Sequence, residues 1–181
     1  GWLPRRWALW GGILIAFHAR FQLDWSQTYW GGNLAGFGGA LVLGAYPRLR
    51  RAGRPGDALA MAVGLAVLAN TRPYEGFITS LPVAAAMAVW LLGKRRPPWR
   101  AAALRIVLPL VLAITVAAAW MGYYNLRVTG RASRMPYQAH EAAYGYTPLF
   151  LWQSPRAAPE YRHEVMRDFY LRGIRGTFDR Q

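Results

Sequence analysis

Apolar and polar positions alternate in long blocks along this chain. Apolar runs lie at about residues 7–18, 31–46, 57–70, 76–93 and 105–124, and short polar connections separate them. Apolar runs of this length are typical of helices that cross a membrane. The pattern predicts an all-α fold, with a polytopic transmembrane helix bundle of about five crossings over residues 1–124. An irregular, partly helical extracytoplasmic segment follows over residues 125–181, with an amphipathic helix near 159–172.

The distribution of basic residues predicts how this bundle is oriented in the membrane. Eleven basic residues fall in alternate connections, whereas the remaining connections hold only Arg20 and Arg72. The eleven are Arg5, Arg6, Arg48, Arg50, Arg51, Arg54, Lys94, Arg95, Arg96, Arg100 and Arg105. Because Lys and Arg mark the cytoplasmic side, we expect the amino end on the cytoplasmic side of the membrane and the carboxyl-terminal segment outside. The formal net charge of +14 then reflects a membrane rather than a nucleic-acid partner.

The stretch NTRPYEGF (Asn70–Phe77) interrupts the apolar run between Asp57 and Gly93. Those 37 residues would make a helix of roughly 55 Å, far longer than one crossing and close to the length of two. Pro73 disfavours helix at the residue before it. The sequence therefore predicts a tight hairpin with Arg72 and Glu75 at its outer tip, near headgroup depth.

Small residues form a stripe in the second predicted helix. Gly32, Gly36, Ala40 and Gly44 recur every four residues, which places them on one face. Smooth faces of this kind let another helix approach closely. We therefore expect this stripe to be a helix–helix contact.

Polar groups that could contact a ligand gather on the predicted outer side. They comprise Tyr29 and Trp30, then Arg72, Tyr74 and Glu75, then Tyr137, Gln138, His140 and Glu141. Arginine suits phosphate because its planar fork makes paired charge-assisted hydrogen bonds, and Tyr and Trp stack on sugar rings or lie in the membrane interface. The chain has no Cys, three scattered His and no soluble-enzyme motif, so we expect no metal and no cofactor.

Four segments carry a resemblance to a known family: WLPRRWALWGG, TYWGGNLAGFGGALVLGAYPRL, LANTRPYEGF and YYNLRVTGRASRMPYQAHEAAYGYTPLFLWQ. They resemble bacterial integral membrane glycosyltransferases that are similar to the dolichyl-phosphate-mannose protein mannosyltransferases and to sugar transferases with an RgtA-to-D-like domain. The resemblance spans nearly the whole chain. It implies a GT-C fold, an active site on the outer face and a sugar donor carried on a polyprenyl phosphate.

The resemblance also implies an acidic residue in a first outer loop that acts as the catalytic base on the acceptor, and no residue here matches that motif. Asp24 is not its equivalent, so the catalytic residues stay unassigned. We expect the chain to be a piece of a longer polypeptide, whose remainder would be a partner beside membrane lipid and the lipid-linked donor. In this hypothesis Tyr137–Glu141 caps the donor site.

Two other interpretations remain open. A transporter or lipid flippase would explain the interrupted hairpin, although the helix centres are almost purely apolar. A non-enzymatic membrane scaffold would use the polar carboxyl-terminal segment as a docking surface.

Overall fold

The computed structural model describes residues 2–19, 23, 32–94, 96–145, 154, 157 and 159–174. Within these residues the regular structure is helical and contains no strand. The chain divides into two compact units, Gly1–Ala119 and Trp120–Gln181, and each is described by itself.

The first unit is built from consecutive helices joined by short connections. They are α1 (Arg5–Ala16), α2 (Gly32–Ala52), α3 (Pro55–Thr71), α4 (Pro73–Leu92) and α5 (Trp99–Ala102). A π-helical turn at Ala103–Val107 then leads directly into α6 (Leu108–Thr129), which continues beyond Ala119 into the second unit. Proline occupies the first position of both α3 and α4, where its missing N–H leaves no hydrogen bond unmade.

Helices α2 and α3 run antiparallel and pack closely along their length. Near one end Gly38 faces Gly64, so closely that a Cβ atom built on Gly64 would lie 2.6 Å from the carbonyl oxygen of Gly38. At the other end Arg48 Nε donates to Asp57 Oδ1 at 2.7 Å. Gly53, with φ +56°, ends the last turn of α2 and lets the chain reverse.

The contact face of α2 differs from the predicted small-residue stripe. Of the stripe, Gly32 is buried and Gly44 is half-buried, but Gly36 and Ala40 are exposed. The buried residues in the middle of α2 include Gly38, Val42, Ala45 and Leu49. The interpretation of Gly36 and Ala40 as a helix contact is therefore wrong for this structure. Helix α3 packs against the face of α2 on which Gly38 lies opposite Gly64. This contact depends on both helices and cannot be predicted from the spacing of small residues in α2 alone.

The core of this unit joins α2, α3, α4 and the π-helical turn. Its buried members include Val42, Met61, Val83, Met87 and Ile106. Tyr46 adds a hydrogen bond between α2 and α4, because its hydroxyl donates to the carbonyl oxygen of Ala86 at 3.2 Å. The burial of these side chains fixes α4 beside α2 and so determines where the Arg72 end of the hairpin lies.

Two helical stretches are long and apolar enough to cross a membrane: Pro73–Leu92 and the continuous Trp99–Thr129. Only 17% and 6% of their most apolar windows are buried inside the protein, whereas the core helix of a soluble protein would be mostly buried. Large apolar surfaces of this kind mark contact with lipid or another apolar partner. Helix α3 is apolar but shorter, at 17 residues. The described helices thus indicate membrane association.

The second unit begins with the carboxyl-terminal part of α6 and a hydrogen-bonded turn. The buried amide of Asn125 donates to the carbonyl oxygen of Ala132 at 3.1 Å. The Thr129 hydroxyl lies 2.8 Å from the carbonyl oxygens of both Asn125 and Arg134. Gly130 adopts φ +75°, which favours glycine. The side chain of Asn125 therefore stabilises this turn.

After the turn come α7 (Pro136–Tyr144) and a short α8 (Glu164–Asp168) that continues as a π-helix at Phe169–Ile174. The predicted helix near 159–172 thus begins later, at Glu164. Tyr161 stacks on Tyr170 with ring centroids 5.8 Å apart. In a continuous helix these two residues would be separated by about 13 Å along the axis, so the stacked rings require the non-helical segment before Glu164. Two apolar side chains of α8 and its π-helical continuation, Val165 and Phe169, are 80% and 53% exposed.

Candidate functional site

Arg72 is the only residue between helices α3 and α4. Its own N–H donates to the carbonyl oxygen of Leu68 at 2.9 Å and closes α3, and its carbonyl oxygen accepts the N–H of Gly76 at 2.7 Å and opens α4. The backbone there has φ −142° and ψ 75°, outside the helical region. Pro73 accounts for this break because it restricts the preceding residue to extended conformations.

Gly76 allows the two helices to meet at this end. A Cβ atom built on Gly76 would lie 2.7 Å from the Cβ of Leu68, so any larger residue would push the helices apart. The hairpin predicted at TRPYE is thus present with a turn of a single residue, and it projects one arginine from the junction of two apolar helices.

The Arg72 guanidinium forms an ion pair with Glu75, one turn into α4. Arg72 Nη1 lies 2.8 Å from Glu75 Oε1, and the two side chains are 34% and 61% exposed. Exposed pairs at this spacing contribute at most about 0.5 kcal/mol to stability. The pair therefore orients the guanidinium without being needed to hold the hairpin together.

The other polar side chains near the junction bond to their own helices. Thr71 and Asn70 donate to carbonyl oxygens of α3, and Thr79 and Ser80 donate to carbonyl oxygens of α4, all at 2.7–2.8 Å. Tyr74, also predicted to contact ligand, is 46% exposed beside the pair. Arg72, Tyr74 and Glu75 are thus the predicted site residues that the structure brings together. Tyr29 and Trp30 lie outside the described residues.

Of the predicted site residues in the second unit, Gln138 stabilises a helix end, whereas His140 and Glu141 lie beside tyrosine side chains. Gln138 Oε1 accepts the backbone N–H of Met135 at 3.1 Å, so this side chain caps the first turn of α7. Tyr137 is half-buried on the same turn. His140 Nε2 lies 2.6 Å from the hydroxyl of Tyr170, in a hydrogen bond whose direction depends on the imidazole tautomer. Glu141 is half-buried next to His140.

His140 and Glu141 belong to an aromatic cluster that the sequence did not predict. Tyr144 lies 5.0 Å from the His140 ring, and the Tyr161 hydroxyl donates to the Tyr144 carbonyl oxygen at 2.8 Å. Tyr170 is buried, with 4% exposed. The spacing of His140 and Tyr144, one helical turn apart, was the available signal for their half of the cluster.

Two tyrosines of this cluster have altered acidity. Burial, followed by the negative charge of Glu141, raises the pKa of Tyr170, and the neighbouring Tyr161 and Tyr144 add to this shift. Burial and Glu141 likewise raise the pKa of Tyr161. Both phenols therefore stay protonated through the physiological range and can donate hydrogen bonds.

The part of the chain that the structure describes contains no group of three His, Cys, Asp or Glu able to hold a metal ion. Comparisons with protein-family models, with curated proteins and with solved structures find no match for this chain.

Proposed function

We propose that this chain is part of a GT-C-type membrane glycosyltransferase, in which Arg72 binds the phosphate of a polyprenyl-phosphate sugar donor on the extracytoplasmic side. The observation that carries this proposal is the Arg72–Glu75 pair, held at a one-residue break between two apolar helices. Ionisable groups at such depths in a membrane protein are costly and usually functional. A polyprenyl phosphate places its anion where its apolar chain meets the headgroup region, and the proposed tip lies there.

Helix length supports this depth for the tip. The 17 residues of α3 span about 26 Å, slightly less than the ~30 Å hydrocarbon thickness of a bilayer. Arg72 would then lie at or just below the headgroups, with its long side chain able to reach an anion in the interface. Glu75 keeps the guanidinium oriented, and Tyr74 is placed to contact the sugar or the prenyl chain.

The side chain of Arg72 can be tested separately from the fold. The two hydrogen bonds by which Arg72 closes α3 and opens α4 come from its backbone, and every non-proline substitution retains them. Pro73 continues to impose the break. A change in ligand binding on substitution of Arg72 would therefore report the guanidinium and not the loss of the hairpin.

We expect Arg72→Ala to weaken binding of a polyprenyl phosphate to the purified chain in detergent by about tenfold or more. The reason is the loss of charge-assisted hydrogen bonds worth roughly 1.5–3 kcal/mol. Arg72→Lys should retain the charge but lose the paired hydrogen-bond geometry, so its affinity should lie between those of wild type and Arg72→Ala. Glu75→Gln should have the mildest effect if Glu75 only orients Arg72. The measurement is the dissociation constant of the lipid phosphate, with the corresponding polyprenol as the phosphate-free ligand.

Arg167→Ala is the matched control for this series. Arg167 pairs with Glu164 at 2.9 Å, again three residues apart although with the acid first in sequence, and the Glu164 side chain is 80% exposed. It should leave binding unchanged. Equal binding by wild type and Arg72→Ala, with equal melting temperatures, would refute the phosphate role. Equal binding of polyprenol and its phosphate would do the same.

Topology gives an independent prediction. In the proposed arrangement α1, α2, α3, α4 and Trp99–Thr129 make five crossings, with the α2 and α4 carboxyl ends in the cytoplasm. Cysteine introduced by Glu75→Cys or Gln138→Cys should react with a membrane-impermeant thiol reagent in intact bacterial cells. Arg51→Cys and Arg96→Cys should react only after the membrane is permeabilised. Labelling of Arg51→Cys in intact cells would contradict the five-crossing arrangement.

A further inference from the structure

A cavity rimmed by arginines lies at the end of α4 opposite to Arg72. Its volume is about 280 Å³, and its floor is formed by Leu49 and Ile106, each 1% exposed. Four arginines surround the opening: Arg50, Arg51, Arg96 and Arg105. The 20 residues of α4 place it about 30 Å from the Arg72 end, so it is distinct from the donor site proposed above.

The arginines of this cavity come from separate parts of the chain. Arg50 and Arg51 belong to the last turn of α2, Arg96 to the connection after α4, and Arg105 to the π-helical turn. Positive charge at the carboxyl end of α2 is favourable by itself because of the helix dipole. That effect accounts for the first two arginines only, and the general bias of Lys and Arg toward the cytoplasmic side does not by itself bring Arg96 and Arg105 to the same opening.

In the part of the chain that the structure describes, no acidic residue lines the cavity. Between residues 32 and 119 the chain contains two acids, Asp57 and Glu75. Asp57 pairs with Arg48 and Glu75 pairs with Arg72, and none of these four lines the cavity. Like charges brought together repel one another, so a bound anion would stabilise this arrangement. Guanidinium groups converging from several directions match the oxygens of a phosphate.

An apolar hollow adjoins the arginine-rimmed cavity and indicates which phosphate compound fits. It shares Arg50 and Trp90 with the cavity and is otherwise lined by Tyr46, Ala86, Val89, Gly93 and Lys94, with a volume of about 390 Å³. Val89 is 75% exposed on the outer surface of α4. A cationic pocket that continues along an apolar helix surface is suited to a ligand with a phosphate at one end and hydrocarbon at the other.

We propose that the cavity of Arg50, Arg51, Arg96 and Arg105 binds the phosphate headgroup of an anionic phospholipid, whose acyl chain lies along Trp90 and Val89. Basic pockets between helices on the cytoplasmic side of membrane proteins are recognised sites for such headgroups. The exposed apolar surfaces of α4 and of Trp99–Thr129 supply the membrane contact that brings lipid to the opening. The shared chemistry is a phosphate anion, and the lipid source is favoured over free phosphate by the adjoining hollow.

The test measures lipid retention by the full 181-residue chain, purified in a neutral detergent, using native mass spectrometry. Phosphatidylglycerol, phosphatidylcholine with the same acyl chains and inorganic phosphate are added in separate arms. Wild type should retain phosphatidylglycerol preferentially. Arg96→Gln/Arg105→Gln should weaken that retention by about tenfold or more, from the loss of charge-assisted contacts. Arg96→Lys/Arg105→Lys keeps the positive charge and should weaken phosphatidylglycerol retention less than the Gln variant does. Retention by this variant would show that the substituted positions tolerate a change of side chain, so that the loss in the Gln variant reports binding and not a folding defect.

Arg54→Gln/Arg100→Gln is the matched control, because it removes the same charge from exposed arginines that do not line the cavity. It should retain phosphatidylglycerol as wild type does. Equal weakening by this control would show that net charge alone attracts the lipid and would overturn the site. Equal retention of phosphatidylcholine, or full competition by inorganic phosphate, would overturn the anionic-lipid assignment.

Discussion

Replacing Gly64 with leucine is expected to destabilise the Gly1–Ala119 unit by about 3 kcal/mol or more, at or above the upper end of the usual range for overpacking. A Cβ atom at this position would lie 2.6 Å from the carbonyl oxygen of Gly38 and 2.9 Å from side-chain atoms of Leu41 and Val42. The first of these neighbours is backbone, which cannot rotate away. Helices α2 and α3 would have to separate, and the Arg48–Asp57 pair and the buried face of α2 would separate with them.

Gly39→Ala is the control for this prediction. No atom lies within 4 Å of a Cβ built on Gly39, so alanine should be neutral or stabilise α2 by up to about 1 kcal/mol through its higher helix propensity. Gly64→Ala should already be destabilising. Thermal unfolding of the purified chain in one detergent gives all three values. A Gly64→Leu protein as stable as wild type would show that α2 and α3 do not pack through this glycine pair.

Truncation of Tyr170 to alanine is expected to destabilise the Trp120–Gln181 unit by about 3–5 kcal/mol, the range for large buried aromatic side chains. Tyr170 is 4% exposed, stacks on Tyr161, contacts Phe169 edge-on and bonds to His140. Its removal would leave α7 and the Phe169–Ile174 turn without their shared centre. Limited proteolysis should therefore cut Tyr170→Ala within residues 159–174 much faster than the wild-type protein.

Tyr170→Phe separates the ring from the hydroxyl. It keeps the packing and loses only the hydrogen bond, so its destabilisation should be about 1 kcal/mol. The hydroxyl also makes stability depend on pH. Below the ordinary pKa of 10.0 the phenol is neutral whether folded or unfolded, and its contribution is constant. Above pH 10 the unfolded chain releases the proton while burial and Glu141 keep the folded phenol protonated, so stability falls as pH rises.

The predicted fall in stability above pH 10 can be tested by two measurements along an alkaline titration. Absorbance reports the formation of tyrosinate, and limited proteolysis at each pH reports the loss of folded structure. Wild type should lose protection above pH 10, and Tyr170→Phe should lose less of it. Glu141→Gln is the second variant, because it removes the neighbouring negative charge while retaining size. An unchanged titration in both variants would contradict the arrangement of Glu141, Tyr161 and Tyr170.

The local chemistry of the hairpin could be predicted from the sequence because proline acts on its immediate neighbour. Pro73 determines the break at Arg72 whatever surrounds it, and Glu75 lies one turn away on the same helix. The contact face of α2 could not be predicted in this way. Gly38 packs against Gly64, 26 positions later in the chain, and the choice between its face and that of Gly36 depends on the shape of α3.

The arginine cavity and the tyrosine cluster show the same dependence on distant parts of the chain. Charge counting assigns Arg50, Arg96 and Arg105 a common side of the membrane, but only the packing of α2 and α4 with the π-helical turn makes them line one opening. Tyr170 joins His140 from 30 positions away, and the non-helical residues before Glu164 permit this contact. Hydrophobic periodicity places residues on a face of their own helix and carries no information about such partners.

The single-residue turn at Arg72 also has a consequence for sequence length. A hairpin with a longer loop can gain or lose residues in that loop. The connection between α3 and α4 has no spare residue, because Arg72 bonds to both helices through its backbone. One residue inserted beside Pro73 would turn α4 by about 100° relative to α3 if the helix were kept. Gly76 would leave Leu68, and Val83 and Met87 would rotate out of the core. Insertions and deletions should therefore be excluded from this junction in any chain that keeps the hairpin, even where the side chains themselves vary.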